Sequence, residues 1–196
     1  MDIGEIVETN TLGFVAKSNQ LHEHPPLGSL VKVRAPDGGD YAYAVVSFGQ
    51  TLSPDPGRRA VGRSSEDVRD EQVYQEHPQL GRILQTEFHA VLVGCVEGGQ
   101  VRQHLPPQPP RLHYDVLACT SGEARAFSQR MPYFRLLLGA SGELPAEQLL
   151  AAHIRAIYRQ RGDDANRLAR AAREAAALLK GDYERLMTVL LGIDLA

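Results

Sequence analysis

The chain has 196 residues, a mass of 21.5 kDa and a formal net charge of −3 at pH 7. This length allows one or two small domains with a real hydrophobic core, and the slightly acidic balance excludes a strongly basic protein that coats nucleic acid. No apolar run approaches the roughly 18 to 20 residues of a membrane-spanning helix. The N-terminus has neither a basic patch nor an apolar stretch, and two cysteines make no disulfide framework. We therefore expect no secretory signal and a cytoplasmic location.

The first part of the chain predicts a series of short β-strands. Stretches rich in valine, isoleucine, tyrosine and phenylalanine, each bounded by turn residues, lie at residues 3–7, 12–16, 30–34, 41–48, 88–96, 101–105 and 114–119. Glycine pairs at 38–39 and 98–99 supply the turns of two hairpins. Because closure removes exposed sheet edges, strands at this spacing predict a small antiparallel β-barrel of about six strands.

In two of these strands, the alternation of side chains shows which residues share a face. In the strand at 88–96, Phe88, Ala90 and Leu92 share one face, and the intervening residues share the other. In the strand at 30–34, Lys32 and Arg34 alternate with apolar residues, so their face is expected to meet solvent.

An insertion interrupts the strands at about residues 51–80. Its first part, residues 51–63, is a loop rich in proline and glycine. Ser64 is a candidate N-cap for a short polar helix over residues 66–76, which ends before Pro78. We expect the insertion to lie outside the barrel.

A shift in composition near residue 120 divides the chain into a β-barrel over residues 1–120 and an α-helical region over residues 121–196. Ten of the twelve prolines precede residue 111, and none follows Pro145. After Pro145 the sequence is rich in alanine, leucine and arginine. Strands followed by helices predict an α+β fold.

Three helices are predicted after Pro145. The first ends at Gly162, and Asp163 or Asp164 caps the second. The second ends at Gly181, and the third begins at Asp182. The first and third helices each carry several large apolar residues: Leu149, Leu150, Ile154 and Ile157 on the first, and Leu186, Met187, Leu190 and Leu191 on the third. A lone three-helix segment does not easily bury so much apolar surface, so self-association is expected.

The lysines argue against a site that hydrolyses nucleotides. The chain has only Lys17, Lys32 and Lys180, and none lies in a phosphate-binding loop motif. The segment 139–142 is similar to a fragment of that motif, but Glu143 follows where the motif continues toward its lysine. Because an ATPase needs a lysine near its phosphates, we expect no hydrolysis of ATP or GTP.

The histidines give no complete metal site by their spacing. His22 and His24 lie about 7 Å apart on one face of an extended segment. Zinc would need a further ligand, such as His89, His104 or His113. A solvated loop is the favoured interpretation, and we assign neither a metal nor a cofactor.

The two cysteines give no catalytic pair by their spacing. Cys95 follows His89 by six residues, and Cys119 follows His113 by the same number. Six residues of strand span about 20 Å, so neither pair can meet along its own strand. Cys95 is expected to be a buried structural thiol, and we assign no catalytic residue.

Arg167, Arg170 and Arg173 are the candidates for contact with nucleic acid. They follow one another at intervals of three on a predicted helix, where they could track phosphates, although a solvated face is the commoner role of such a run. The barrel region carries 10 basic and 15 acidic side chains, a net charge of −5, whereas residues 121–196 carry 11 and 9, a net charge of +2. Tight nucleic-acid binding is therefore unexpected.

The order of several motifs resembles a known family. Residues 3–7, 27–33 and 43–47 resemble the HAS barrel, the N-terminal β-barrel of HerA-type ATPases that translocate DNA, which catalytic-ring subunits of ATP synthases share in outline. Residues 91–96, followed by the proline-rich stretch 105–110, fit the same pattern. The resemblance covers about residues 1–125, and the ATPase motor that follows the barrel in that family has no counterpart here.

The resemblance implies a role in assembly rather than catalysis. HerA-like barrels help to hold a ring together and form a docking surface for a partner nuclease. We therefore expect a non-enzymatic protein–protein interaction module linked to DNA processing, which forms a homo-oligomer and binds a nuclease or a HerA-like motor. A dimer is the expected assembly, with a ring as the alternative. A nucleic-acid-binding accessory protein that uses the three arginines is the alternative function.

Overall fold

The computed structural model describes residues 1–36, 40–55, 61–64, 67–159 and 165–193. Within these residues, seven strands form one antiparallel sheet: β1 (Asp2–Thr9), β2 (Gly13–Ser18), β3 (Leu30–Arg34), β4 (Tyr41–Leu52), β5 (Gln85–Glu97), β6 (Gln100–Arg102) and β7 (Asp115–Ala118). The strand order is β2-β1-β7-β3-β4-β5-β6, and β2 also pairs with β5. Six strands therefore close into a barrel, and β6 extends the sheet from β5 outside the closed ring.

The predicted α+β fold, with an antiparallel barrel first and helices second, is confirmed. A strand lies at each predicted stretch, but several differ in length: β4 continues to Leu52 instead of ending at residue 48, and β5 begins at Gln85 instead of residue 88. The stretch predicted over residues 101–105 is a strand only as far as Arg102. Pro106 follows shortly after, and proline cannot donate a hydrogen bond to a strand ladder.

Two apolar clusters lie on opposite sides of the sheet. The inner core fills the barrel and consists of strand residues alone: Ile6, Phe14, Ala16, Val31, Val33, Ala42, Ala44, Val46, Phe88, Ala90, Leu92 and Val116. The outer core joins strand residues such as Tyr43, Val45 and Val93 to the C-terminal helices. The barrel is therefore covered by helices on one side, and β5 is buried on both of its faces from Leu92 to Cys95.

The insertion between β4 and β5 contains two short helices, α1 (Glu71–Glu76) and α2 (Leu80–Ile83). The helix predicted over residues 66–76 begins later than expected, because Asp70 has a φ of 52°, which a right-handed helix cannot accommodate. Asp70, not Ser64, precedes its first turn. Residues 56–60, 65 and 66 of the insertion lie outside the described residues.

Five helices follow the last strand among the described residues: α3 (Ser121–Phe127), α4 (Phe134–Leu138), α5 (Ala146–Arg159), α6 (Ala165–Leu178) and α7 (Tyr183–Gly192). Helix α5 starts directly after Pro145, as expected. Asp182 caps α7 by accepting a hydrogen bond from the backbone N–H of Arg185 at 3.2 Å, and Gly181 has the positive φ of a helix-terminating glycine. The predicted boundaries at Gly162, Asp163 and Asp164 lie outside the described residues.

None of the described helices is both long enough and apolar enough to cross a lipid bilayer.

Candidate interaction surface

Helix α7 is held firmly against α5. A Cβ atom on Gly192 would lie 2.7 Å from Ala151 Cβ, so only glycine allows the two helices to approach this closely. The Arg155 guanidinium donates to the carbonyl of Gly192, and Arg185 forms an ion pair with Glu147. The inner side of α7 is thus fixed within the chain.

The outer side of α7 carries an exposed apolar stripe formed by Tyr183, Met187, Leu190 and Leu191. These positions lie within about 100° of one another around the helix axis. Tyr183 is 73% exposed and Leu191 is 70% exposed, whereas Leu190 and Met187 are partly covered. Apolar residues at this spacing usually face a core, yet Tyr183 and Leu191 are largely exposed to solvent. The α7 stripe is therefore a candidate contact surface.

The apolar residues of α5 need no second copy of the chain. Leu149, Leu150, Ile154 and Ile157 are all at most 4% exposed, because α5 packs against the other helices and the barrel. Apolar surface that self-association could cover therefore remains on α7 and not on α5.

A buried histidine joins α5 to the barrel. His153 is fully buried, and its Nδ1–H donates to the carbonyl of Gly28 at 2.7 Å. Its Nε2 then accepts a hydrogen bond from the Tyr133 hydroxyl at 2.8 Å. Burial lowers the pKa of His153 to about 4, against the opposing effect of the Gly28 hydrogen bond. The imidazole is therefore neutral at physiological pH.

The absence of a side chain at Gly28 makes this contact between α5 and the barrel sterically possible. Its φ is 82°, and a Cβ atom there would lie 2.5 Å from the backbone carbon of Ala152 and the nitrogen of His153. The loop between β2 and β3 therefore rests directly on the backbone of α5.

A second polar joint connects β3 to α3. Lys32 forms an ion pair with Glu123, which also closes the capping box of α3 with Thr120. Burial is the largest single influence and opposes charging of both groups, but hydrogen bonding and charge attraction together outweigh it, so the pKa of Lys32 is raised and that of Glu123 is lowered. Lys32, expected to meet solvent, is instead covered by α3, whereas Arg34 on the same strand face is exposed as expected. One of the three lysines thus has a structural contact.

The three arginines of α6 lie in different surroundings. Arg167 is half-buried beside Met131 and Leu168. Arg170 is exposed and donates to the carbonyl of Gln129 at 3.1 Å, which ties α6 to the segment after α3. Arg173 is exposed, and its Nε donates to the carbonyl of Ala169 on its own helix. The arginines therefore do not form one uniformly exposed row.

The histidines that the sequence analysis considered together lie apart. His22 stacks edge-on against Tyr74, His24 lies against Gly49, and His113 contacts Glu5 at 2.5 Å. Among the described residues, the one group of three or more side chains that could hold a metal ion is Cys95, Glu97 and His104.

The spacing of Cys95, Glu97 and His104 around the glycine turn could have revealed this group. The glycine turn at 98–99 pairs Cys95 with Arg102, so His104 falls two residues beyond the partner of Cys95. The sequence indicated that any cysteine–histidine pair must cross strands, but it did not single out His104 as the partner of Cys95.

Cys95 is buried, as expected, and is a poor nucleophile as it stands. Burial, together with the nearby Glu97 carboxylate, raises the pKa of its thiol to about 11. Burial likewise raises the pKa of the Cys119 thiol to about 12. Neither cysteine is in a disulfide, and both thiols are protonated at neutral pH.

No protein-family model matches this chain, and no curated protein is similar to it in sequence.

Proposed function

We propose that this protein is a non-enzymatic assembly module of HerA-like type, and that its α7 stripe binds the same stripe of a second copy. The observation that carries this proposal is the exposure of Tyr183 and Leu191 on a helix whose other side is fixed within the chain. A rigid helix loses little conformational entropy when its free face is covered. The stripe therefore has the properties of a preformed contact surface.

A two-fold dimer is the simplest assembly for such a stripe. In a symmetric interface the same patch meets itself, so an apolar stripe is automatically complementary to its own copy. Two α7 helices that cross at their stripes would remove these side chains from water without leaving a matching surface exposed elsewhere. A ring, which the HAS-barrel resemblance suggests, would need a second and different surface.

The wider role proposed here is the binding of a nuclease or a HerA-like motor during DNA processing. The closed antiparallel barrel supports it, because the resemblance requires such a barrel. The engagement of Lys32 by Glu123 supports a non-enzymatic role, since it removes one of only three lysines from the candidates for phosphate binding. The two free thiols support a reducing, cytoplasmic compartment.

Light scattering on the full chain tests the dimer. We expect the wild type at micromolar concentration to have twice the mass of the 21.5 kDa chain. Leu191→Glu introduces a charge at the most exposed leucine of the α7 stripe and is expected to reduce the mass to that of one chain. The matched control is Leu12→Glu, because Leu12 is an apolar residue of similar exposure, 61%, on the barrel.

Two results would overturn the dimer proposal. A wild-type mass near 21.5 kDa across the micromolar range would show that the stripe has no second copy as its partner. A dimer that Leu191→Glu and Leu12→Glu weaken equally would place the interface away from α7. A mass several times that of one chain would favour the ring.

A further inference from the structure

The β5–β6 hairpin brings together three side chains of different metal-binding chemistry. Cys95 is paired with Arg102 across the hairpin, Glu97 lies two residues further along β5, and His104 lies two residues beyond Arg102. One ligand atom from each of the three side chains lies within 4.8 Å of the other two. Cys95 Sγ lies 3.5 Å from Glu97 Oε1.

The imidazole of His104 has a nitrogen available for a cation. Its Nδ1 lies 3.0 Å from the backbone carbonyl of Leu105. A carbonyl oxygen can only accept, so Nδ1 carries the proton and Nε2 keeps its lone pair. In metal sites, a backbone carbonyl commonly fixes a histidine ligand in this way.

The charges around the group favour a cation on balance. Glu97 and Asp40 both place negative charge near the Cys95 sulfur, and Arg102 places one positive charge there. Two carboxylates therefore act against one guanidinium, before the thiol itself is counted. Sulfur, nitrogen and oxygen donors together are the ligand set of zinc-like divalent cations rather than of magnesium or calcium, which prefer oxygen alone.

We propose that Cys95, Glu97 and His104 form a binding site for a divalent cation of the zinc class. Zinc bonds of about 2.0 to 2.3 Å in a tetrahedron separate neighbouring ligand atoms by roughly 3.5 Å. The sulfur and carboxylate oxygen already have this separation. Glu97 and His104 are exposed, so rotation of their side chains can close the remaining distances around the buried Cys95.

Binding would replace a proton by the metal at one atom. The Cys95 S–H bond breaks, its proton passes to solvent, and the sulfur forms a bond to the cation without any change of oxidation state. Three protein ligands leave the fourth tetrahedral position to a water molecule.

The cation would fix the strand that lies outside the closed barrel. Gln103, between Arg102 and His104, donates from its side-chain amide to the carbonyls of Phe127 and Arg130. A metal bound to His104 on one side and β5 on the other would hold this residue in place. The site would therefore couple β6 to the segment between α3 and α4.

Cobalt and zinc titrations of the full chain test the site. Cobalt(II) bound through a thiolate gives an intense charge-transfer absorption in the near ultraviolet, which reports the sulfur directly. We expect this band in the wild type at one equivalent and its loss in Cys95→Ala. For zinc, measured by calorimetry, we expect one site per chain and binding at least about tenfold weaker in His104→Ala.

The controls replace the corresponding residues outside the group. Cys119→Ala removes the other free thiol, and His113→Ala removes another exposed histidine. Both are expected to keep the cobalt band and the zinc affinity of the wild type. Because His104 is exposed, His104→Ala keeps the test valid even if Cys95→Ala fails to fold.

Three outcomes would overturn the proposal. These are the absence of a thiolate–cobalt band in the wild type, its survival in folded Cys95→Ala, and zinc binding that is equal in the wild type and His104→Ala. A band that disappears in Cys119→Ala instead would assign the metal to a different place.

Discussion

The inner core and the outer core of this protein depend on different kinds of contact. The inner core contains only apolar strand residues, and their alternation along each strand is sufficient to place them. The outer core also depends on polar joints, namely His153 with Tyr133 and Gly28, and Lys32 with Glu123. A barrel interior can therefore tolerate many apolar residues of suitable size, whereas the interface between barrel and helices depends on a few specific side chains.

The largest effect is expected from Gly28→Ala, which breaks the outer core alone. The new Cβ would overlap the α5 backbone at 2.5 Å, and the positive φ would be strained for alanine. Overlap costs about 1–3 kcal/mol and the φ about 1–2 kcal/mol, so the free energy of unfolding should fall by about 2–5 kcal/mol. Chemical denaturation measures this loss.

Gly98→Ala is the matched control for that substitution. Gly98 also has a positive φ, 57°, but nothing lies within 4 Å of its added Cβ. Only the conformational cost of about 1–2 kcal/mol is expected there. Equal losses for the two variants would show that the contact of Gly28 with α5 contributes nothing to stability.

The second largest effect is a pH dependence of the free energy of unfolding, which arises from His153 in the outer core. Its folded pKa is about 4, below the unfolded value of about 6.5, so a falling pH protonates the unfolded chain first. The stability is therefore complete above pH 6.5 and is lost as the pH falls towards 4, by about 3 kcal/mol. Denaturation measured at several pH values gives this curve.

A variant separates His153 from the carboxylates that also titrate in acid. His153→Gln should be less stable at pH 7 but should lose most of the dependence between pH 6.5 and 4.5. His24→Gln, at an exposed histidine, should keep it. If the curve of His153→Gln matched that of the wild type, the joint would not be the origin of the pH dependence.

The difference between the inner and the outer core also explains which parts of the fold the sequence predicted. The alternation along the strand predicted that Phe88, Ala90 and Leu92 share one face, and these residues lie together in the inner core. The same rule placed Lys32 towards solvent, because a strand's alternation cannot show which outer positions a later helix will cover. The closure of the ring was inferred from the number of strands, and the structure confirms it.

The candidate surfaces depended on tertiary contacts that the sequence did not reveal. The sequence identified the apolar residues of α5 and α7, but only the packing distinguishes the buried set from the exposed one. Helix α3 was not predicted as a separate helix, although Thr120 and Glu123 have the spacing of a capping box. Cys95 and His104 meet across a hairpin, so spacing along a single strand could not bring them together.

The smallest effect is expected on nucleic-acid binding. This prediction follows from the charge difference between the barrel region and the helical region. At about 150 mM salt we expect no tight binding to single- or double-stranded DNA, because the barrel region has a net charge of −5 and Arg170 and Arg173 are each bonded to backbone carbonyls. Replacing Arg167, Arg170 and Arg173 with alanine should therefore leave the binding curve unchanged. Fluorescence anisotropy with labelled oligonucleotides measures this.

A second triple variant makes the DNA test specific. Replacing Arg34, Arg82 and Arg111 with alanine removes the same charge from exposed positions in residues 1–120. Long-range electrostatics would weaken binding alike in both triple variants, whereas a phosphate-binding row on α6 would be affected only by the first. A sub-micromolar, salt-sensitive affinity that the α6 variant loses and the barrel variant keeps would make the protein a nucleic-acid-binding accessory factor. The helices, rather than the α7 stripe alone, would then carry its function.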